Sequence, residues 1–442
     1  MSGSGSLLYL PKMRPLPSRR AVIMSVLDVG STKVCCLIAK LVPREEKSIL
    51  SSRSHKVEVL GYGYQRSRGI KSGVVVDMDA AEQAIRLAVD SAERMAGVTV
   101  ESLISNISCG RLQSEIYSAS VPLAGDSVSE ADIQRVLSAG SSHSVTDGRA
   151  VTHALPISYS LDGSRGIRDP RGMMGHKLGV EMQVVTAEIP PVRNLELCIN
   201  RGHLHVETMV ATPFASGLST IVDDEAELGV ACIDMGGGTT TLSVFVDGQM
   251  VHLDAIAVGG NHVTTDIARA FATRLQDAER LKTLYGSPLT SSSDDRDLLT
   301  VPPLESDGDL PNQIPRSALT RVIRPRVEEI LELVRDRLIA SGFAGRVGKQ
   351  IVLTGGQSAH RSWRSCASHP GAQRPSWPAA RRRRSSRGCQ RSGIRRRGGS
   401  LDLSASRPDR AVRTQEPEIG VERTIWLPGP RGPVDQGKLL TI

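Results

Sequence analysis

Aromatic residues are scarce, at 3% of the 442-residue chain, so any core must be aliphatic. No apolar run is long enough to span a bilayer. The seven cysteines (Cys35, Cys36, Cys109, Cys198, Cys232, Cys366, Cys389) contain no C-x-x-C pair and no metal-ligand spacing. That excludes a zinc-finger or disulfide scaffold, and several of them sit inside apolar strand-like runs, as reduced thiols in a cytosol do. Residues 1–24 carry Lys12, Arg14, Arg19 and Arg20 but lack the apolar centre of a secretory signal. Their glycine, serine and proline content predicts a disordered basic leader.

A single sign of charge is also missing from most of the chain. The formal net charge is +8, yet from Gln357 to Ile442 there are 18 Arg and Lys against 6 Asp and Glu, and the remainder stands at −4. The body is mildly acidic. A nucleic-acid reading would rest on the tail alone.

What is present is organised around one stretch, Val230-Ala231-Cys232-Ile233-Asp234-Met235-Gly236-Gly237-Gly238-Thr239-Thr240-Thr241-Leu242-Ser243-Val244-Phe245. An apolar run reaches an aspartate, breaks at three glycines, and resumes as a second apolar run. The pattern predicts strand, tight turn, strand. Glycines let backbone N–H groups approach an anion without an intervening Cβ. Thr239 and Thr240 add hydroxyl donors. Asp234 would repel a bare phosphate, so its sensible role is to hold Mg²⁺ through water. A glycine-rich hairpin with no ligand is the plain alternative for one such stretch.

The pattern occurs twice. Val26-Leu27-Asp28-Val29-Gly30-Ser31-Thr32-Lys33-Val34-Cys35-Cys36-Leu37 places Asp28 where Asp234 stands and Gly30-Ser31-Thr32-Lys33 in the turn. The second limb is again strand-like, which separates both sites from Walker and Rossmann loops, where the turn opens a helix. Two such hairpins imply two related halves facing one nucleotide, with Lys33 either a solvated turn residue or a cation beside phosphate.

The remaining segments fit around these. Residues 57–64 and 73–76 read as strands, and Asp77 caps a helix from Met78 to Ala96 whose apolar face is Ala81, Ala84, Ile85, Ala88, Val89 and Ala92. From 110 to 191 short strands (114–119, 151–160, 182–188) surround one helix (130–139), with a loop from Asp162 to Gly179, which predicts an inserted α+β subdomain. Thr212–Gly217 precedes a helix. Gly259-Gly260 opens another, whose N–H groups are expected to face the nucleotide, and His262 reads as a helix-start residue rather than a catalyst. Glu279 and Lys282, three apart on the next helix, are either a surface ion pair or a ribose and base contact. Residues 286–318 read as a loop with short strands. Arg324-Pro325-Arg326 starts an amphipathic helix, and Ile351–Thr354 is a strand ending at Gly355-Gly356.

In order and spacing these motifs resemble the superfamily of actin, sugar kinases and heat-shock ATPases. Gly69–Gly73, Gly260–Arg269 with Ala278–Gly286, and Arg324–Leu338 are similar to the FtsA family of bacterial cell-division proteins, as is the inserted subdomain. The resemblance covers about residues 25–356. It implies an α/β, actin-like ATPase fold of two related lobes, divided as 1–24 leader, 25–109 first lobe, 110–191 insertion, 192–356 second lobe and 357–442 disordered tail. It also implies ATP with Mg²⁺ between the lobes. Asp28, Gly30, Ser31, Thr32 and Lys33 match the first phosphate motif, and Asp234, Gly236, Gly237, Gly238 and Thr239 the second. Glu279 and Lys282 match the adenosine helix, and Gly355 and Gly356 the adenosine strand. The implied role is an adaptor at the cytoplasmic face of the inner membrane. It would bind the tail peptide of the tubulin-like protein FtsZ through Arg324, Arg326 and Glu328, assemble into filaments, and meet other division proteins through the insertion. At most slow ATP hydrolysis is implied. A small-molecule kinase or a chaperone-type ATPase on the same fold is the alternative.

After Gly356 the chain departs from that pattern. Arg381–Arg384 and Arg395–Arg397 lie among Pro, Gly and Ser, with no apolar period and none of the family's terminal membrane-binding helix. Read one base out of frame, Ser358–Gln373 permits Gln-Leu-Thr-Gly-Leu. Thr424–Leu440 permits Arg-Phe-Gly-Tyr-Leu-Gly-Arg-Val-Gly-Arg-Trp-Ile-Lys-Gly-Asn-Phe, the mixture of aromatic, aliphatic and basic residues of an interfacial helix. The hypothesis is a single-base slip near Gln357. The coding DNA from Gly345 onward is expected to hold that second frame open to a stop across Leu440 and Thr441. A nucleotide sequence in which it is interrupted rejects the slip.

Overall fold

The computed structural model describes residues 19–43, 55–108, 111–141, 147–304, 311–347 and 350–356, and three short strands beyond them. The first lobe opens with a meander, β1 (Val22–Val29), β2 (Lys33–Pro43) and β3 (His55–Arg66), followed by a small hairpin of β4 (Ile70–Lys71) and β5 (Val74–Val75). The first helix, α1 (Met78–Ala96), starts at Asp77, whose carboxylate accepts from Ala80 N–H at 3.1 Å, and stops at Gly97 with φ +67°. Its buried residues are Ala81, Ala84, Ile85, Ala88, Val89 and Ala92, the predicted face. Small residues on this face let α1 lie directly on β3. A Cβ on Gly63 would fall 1.7 Å from the Ala88 carbonyl oxygen, and one on Gly61 2.3 Å from that of Ala92. Strand β6 (Ser102–Ile107) then pairs in parallel with β1.

The insertion consists of β7 (Gln113–Pro122), α2 (Glu130–Ser141), β8 (Arg149–Leu161), β9 (Ser164–Ile167) and β10 (Lys177–Glu188), ordered β7-β10-β8-β9. It has a core of its own, including Ile133, Val136, Tyr159, Leu178, Val180 and Met182. Chain then returns through α3 (Ile189–Arg201) to β11 (His205–Ala211), which pairs in parallel with β6. Two short helices, α4 (Thr212–Thr220) and α5 (Asp223–Leu228), lead into the second lobe.

There β12 (Val230–Met235), β13 (Thr240–Val246) and β14 (Gln249–Ile256) form a second meander, followed by α6 (Gly260–Ala270) and α7 (Leu275–Tyr285). A hairpin of β15 (Leu298–Val301) and β16 (Asn312–Pro315), the long helix α8 (Arg316–Ala340) and β17 (Gln350–Thr354) complete it. In the tail, β18 (Ala379–Arg381) pairs in parallel with β17, and β19 (Thr424–Trp426) pairs with β20 (Leu439–Thr441).

The two lobes carry the same strand order. One sheet reads β11-β6-β1-β2-β3, and the other begins β18-β17-β12-β13-β14, each with parallel strands on one side of the first and an antiparallel meander on the other. The second sheet continues into the insertion through the single pair Asp254–Gln113. Val230, Cys232 and Phe245 face the first lobe's core, while Ala231, Ile233, Met235, Leu242 and Val244 face the second's. Burial on both faces explains why Val230–Ile233 is apolar without alternation.

Several sequence expectations need correction. β1 begins at Val22, inside the predicted leader, because Met24 is already buried. The boundary at residue 192 is displaced: α3 and β11 belong to the first lobe, since β11 finds its partner in β6. Part of the predicted 162–179 loop is strand, β9 and the start of β10. Thr212–Gly217 does not precede a helix but forms one. The long helix starts at Arg316 with Pro325 inside it. Leu319, Thr320 and Ile323 extend the stripe of Val327, Ile330 and Val334, so burial overrides the proline signal. The expected disorder of 357–442 falls outside the described residues apart from β18, β19 and β20.

Because α1 has no room to retreat from β3, Gly63→Ala is expected to destabilise the fold by about 1–3 kcal/mol through overpacking. Urea unfolding measures it, and a midpoint equal to wild type would contradict the close approach.

Candidate functional site

The two predicted turns are built alike. β1 ends with Val29 opposite Val34, and Gly30 N–H donates to Lys33 O at 2.9 Å. β12 ends with Met235 opposite Thr240, and Gly236 N–H donates to Thr239 O at 2.9 Å. Asp28 and Asp234 stand at the same place in each hairpin, opposite Cys35 and Thr241.

The turns meet across the lobes. A Cβ on Gly237 would lie 2.6 Å from Thr32 Cγ2, and one on Gly238 2.4 Å from Ser31 Oγ. Only glycine allows this approach. Ser31 Oγ also accepts from Gly73 N–H at 3.0 Å. Among the described residues the N–H groups of Ser31, Thr32, Gly237 and Gly238 have no protein acceptor. They form a set of donors suited to an anion. Thr240, predicted as a further donor, is buried and donates instead to Val258 O at 2.8 Å.

Each carboxylate is held by a partner that sequence reasoning missed. Asn106, near the end of β6, donates Nδ2 to Asp28 at 2.7 Å, accepts from Val29 N–H at 2.7 Å, and reaches Thr212 Oγ1 at 3.2 Å. Ser216 on α4 donates to Asp234. Burial pushes the Asp234 carboxyl up, the Ser216 hydroxyl opposes that shift, nearby Asp28 adds to it, and Lys33 lowers it. Asp28, Lys33 and Asp234 therefore share one electrostatic neighbourhood. The signal for Asn106 was a polar residue between the apolar Ile104 and Ile107 of one strand. For Ser216 it was the four-residue spacing from Thr212, visible only once that segment is known to be helical.

Gly355 lies against Asp234. With φ +90°, a Cβ there would sit 2.3 Å from Asp234 Oδ1 and 2.6 Å from Met235 O. Gly356 is exposed. Gly259 packs on the second turn, where a Cβ would come within 2.6 Å of Gly236 O. The N–H groups expected to be free at this helix start are engaged. Gly260 and Asn261 donate to Gly236 O and Gly237 O at 3.0 and 2.7 Å, and His262 donates to Gly259 O. His262 Nδ1 accepts from Gly259 N–H, which makes it a cap. The helix start thus braces the turn from behind.

Lys282 is not part of a surface ion pair. It is buried, and its ammonium donates to Gly260 O at 3.0 Å and Thr264 Oγ1 at 2.8 Å while pairing with Glu279 at 2.6 Å. Burial lowers its pKa against the opposing pull of Glu279. Its donors are occupied inside the protein, so in this structure it fixes α6 to α7 rather than reaching outward. Glu279, half-buried, keeps carboxylate surface toward solvent.

On α8, Arg324 pairs with Glu328 at 2.9 Å. Arg326 forks onto Asp266 of α6 at 2.7 and 3.2 Å and reaches Glu329 at 2.5 Å. The three predicted partner residues form a charged ridge far along the chain from the turns. Among the described residues there is no cluster of three or more His, Cys, Asp or Glu able to cage a metal.

One further residue approaches this centre from the insertion. His153 on β8 is fully buried, accepts from Ala211 N–H through Nε2 at 2.8 Å, and lies 5.4 Å from the Phe214 ring. Burial pushes its pKa down to about 4.

The model of the family "Cell division protein FtsA" matches residues 231–417, running past Gly356 into the arginine-rich tail. A model described as an SHS2 domain inserted in FtsA matches residues 109–186. The chain is 59% identical over 350 residues to the cell division protein FtsA of Agrobacterium fabrum, covering 79% of each. It is 30% identical over 348 residues to that of Escherichia coli K12, covering 77% of this chain and 80% of that one. Among solved structures, a chain of the PilM–PilN type IV pilus biogenesis complex is similar with a TM-score of 0.51 at 15% identity, covering 79% of this chain and 85% of that one.

The buried imidazole has a consequence for stability. His153 takes up its proton near 6.5 when unfolded and near 4 when folded. Above pH 6.5 neither state is charged and its contribution is complete. As pH falls from 6.5 towards 4 only the unfolded state is protonated, and about 3 kcal/mol is lost. In His153→Phe that part of the acid limb should disappear. Urea unfolding at pH 7, 5.5 and 4.5 checks this, and an unchanged pH dependence refutes it.

Proposed function

Because the chain belongs to the FtsA family of cell-division proteins, we propose that it is an ATP-binding adaptor that links FtsZ filaments to the inner membrane at the division site. Its fold is the actin-like arrangement of two related lobes. The observation that carries the reading is the meeting of two aspartate hairpins of matching register, one from each lobe, turn against turn.

The residues fit a magnesium–nucleotide. Glycines keep the turns open to backbone approach, four turn N–H groups have no acceptor among the described residues, and Lys33 adds a cation near Asp234. Mg²⁺ characteristically keeps several waters and takes one or two carboxylates, which suits Asp28 and Asp234 without a protein cage. When bound, the metal would offset the charge of the phosphates. Asn106 and Ser216 hold the two carboxylates in place. Ser31, Thr32, Gly237, Gly238 and Thr239 would receive phosphate oxygens, while Gly30 and Gly236, whose N–H groups are already engaged, close the two turns. Glu279 would meet the ribose, positioned by Lys282, with Gly355 and Gly356 at the adenosine side. Hydrolysis, where it occurs, would be slow, and nucleotide acts mainly as a conformational and assembly ligand.

FtsZ's tail peptide would bind along α8 at Arg324, Arg326 and Glu328. Filament assembly and contacts of the insertion with other division proteins belong to the same proposal. Membrane attachment belongs to the segment after Gly356, whose reading frame the coding DNA decides. Among the described residues no helix is long and apolar enough to cross a membrane.

Asp234→Asn is expected to weaken Mg²⁺-dependent binding of a fluorescent ATP analogue at least tenfold, which corresponds to about 1.4 kcal/mol. In Arg326→Glu, nucleotide binding should persist while co-sedimentation with FtsZ falls. Wild-type protein that binds no nucleotide in Mg²⁺ would sink the first claim, and undiminished co-sedimentation would remove the α8 surface.

A further inference from the structure

Three separate attachments converge on six consecutive residues at the start of α4. Ala211 N–H donates to His153 of the insertion. Thr212 Oγ1 accepts from Asn106, whose Nδ2 also holds Asp28 of the first lobe. Ser216, one helical turn later, holds Asp234 of the second lobe. Phe214 between them is buried and tilted 58° against the His153 ring. A single helical turn thus touches the Asp234 carboxylate, the Asn106 amide that holds Asp28, and the inserted subdomain. Such a turn moves as a unit, since its geometry is fixed by its own backbone hydrogen bonds.

We infer that α4 is a lever coupling the inserted subdomain to the two aspartate loops, with His153 as the insertion's grip on it. The inference rests on the nucleotide-binding reading above.

β8 is well suited to carry the signal. It pairs along nearly its whole length with β10, Thr152 donates its hydroxyl to Val185 O at 3.1 Å, and Tyr159 and Leu161 at its far end belong to the insertion's own core. Displacement of His153 therefore displaces the subdomain. The choice of residue points the same way. His153 Nδ1 is buried without a partner among the described residues. An apolar ring would fill the same space without that unsatisfied Nδ1, at the loss of the acceptor for Ala211 N–H. What histidine adds is an acceptor for Ala211 N–H, and with it a directional bond to the residue that starts the helix. Ligand at the aspartates changes the charge that Asn106 and Ser216 must balance, and both are tied to this helix.

The test is amide hydrogen exchange of the full chain, with and without saturating Mg·ATP, read in peptides covering Arg149–Leu161. Wild type is expected to show an exchange change of at least twofold on adding nucleotide. His153→Phe, which keeps a ring against Phe214 but removes the acceptor, should abolish that change. His153→Gln, which restores an acceptor, should recover at least half of it. Ser216→Ala cuts the same link at its other end and should also abolish it, so the inference remains testable should His153→Phe not fold. A full wild-type response in folded His153→Phe or Ser216→Ala overturns the coupling. So does wild type that binds Mg·ATP with no change in these peptides. Wild type that binds no Mg·ATP overturns the nucleotide reading itself, and this inference with it.

Discussion

Two carboxylates set into facing turns, close enough that Asp28 raises the pKa of Asp234, are the constraint around which the rest is arranged. Like charges held together in a partly dehydrated place call for a cation or for neutralisation. Lys33 supplies one positive charge, and a bound Mg²⁺ ion would supply two more. Every neighbouring element serves to keep this arrangement from relaxing: Asn106 behind Asp28, Ser216 and Gly355 against Asp234, and the start of α6 behind the second turn.

The duplicated sheets explain how such a site arises from chain geometry. Each lobe ends its first strand at the same turn, and facing the two lobes turns one motif into two halves of a site. Burial of β12 on both faces fixes the second hairpin between two cores, while the first is held inside its own sheet, between β6 and β3, with α1 behind it. Lys282 shows the same economy inside the second lobe: one ammonium ties Gly260, Thr264 and Glu279 together.

Much of this was legible in the sequence where local chemistry decides. The repeated Asp-x-Gly turns, the Asp77 cap and the apolar face of α1 follow from spacing alone. What escaped was set by tertiary context. Pro325 looked like a helix start because the burial of Leu319 and Ile323 is invisible before folding. β11 looked like part of the second lobe because its partner, β6, lies about a hundred residues earlier in the chain. Asn106, Ser216 and His153 are single polar residues in apolar or helical runs, and nothing in their own neighbourhoods announces the distant groups they bind. The helix-start N–H groups were misassigned for the same reason: their acceptors, Gly236 O and Gly237 O, belong to a turn that only the fold brings beneath them.

The insertion joins the second sheet by one rung, Gln113 with Asp254, reinforced by the Ser114 hydroxyl, which accepts from Leu253 N–H at 2.8 Å and donates to Leu253 O at 2.9 Å. Nine strands are continuous on a topology diagram, yet mechanically the sheet is two plates sharing a narrow seam. A tilt of the outer plate would be taken up as a change of angle at that seam. The strands on either side can then keep their registers.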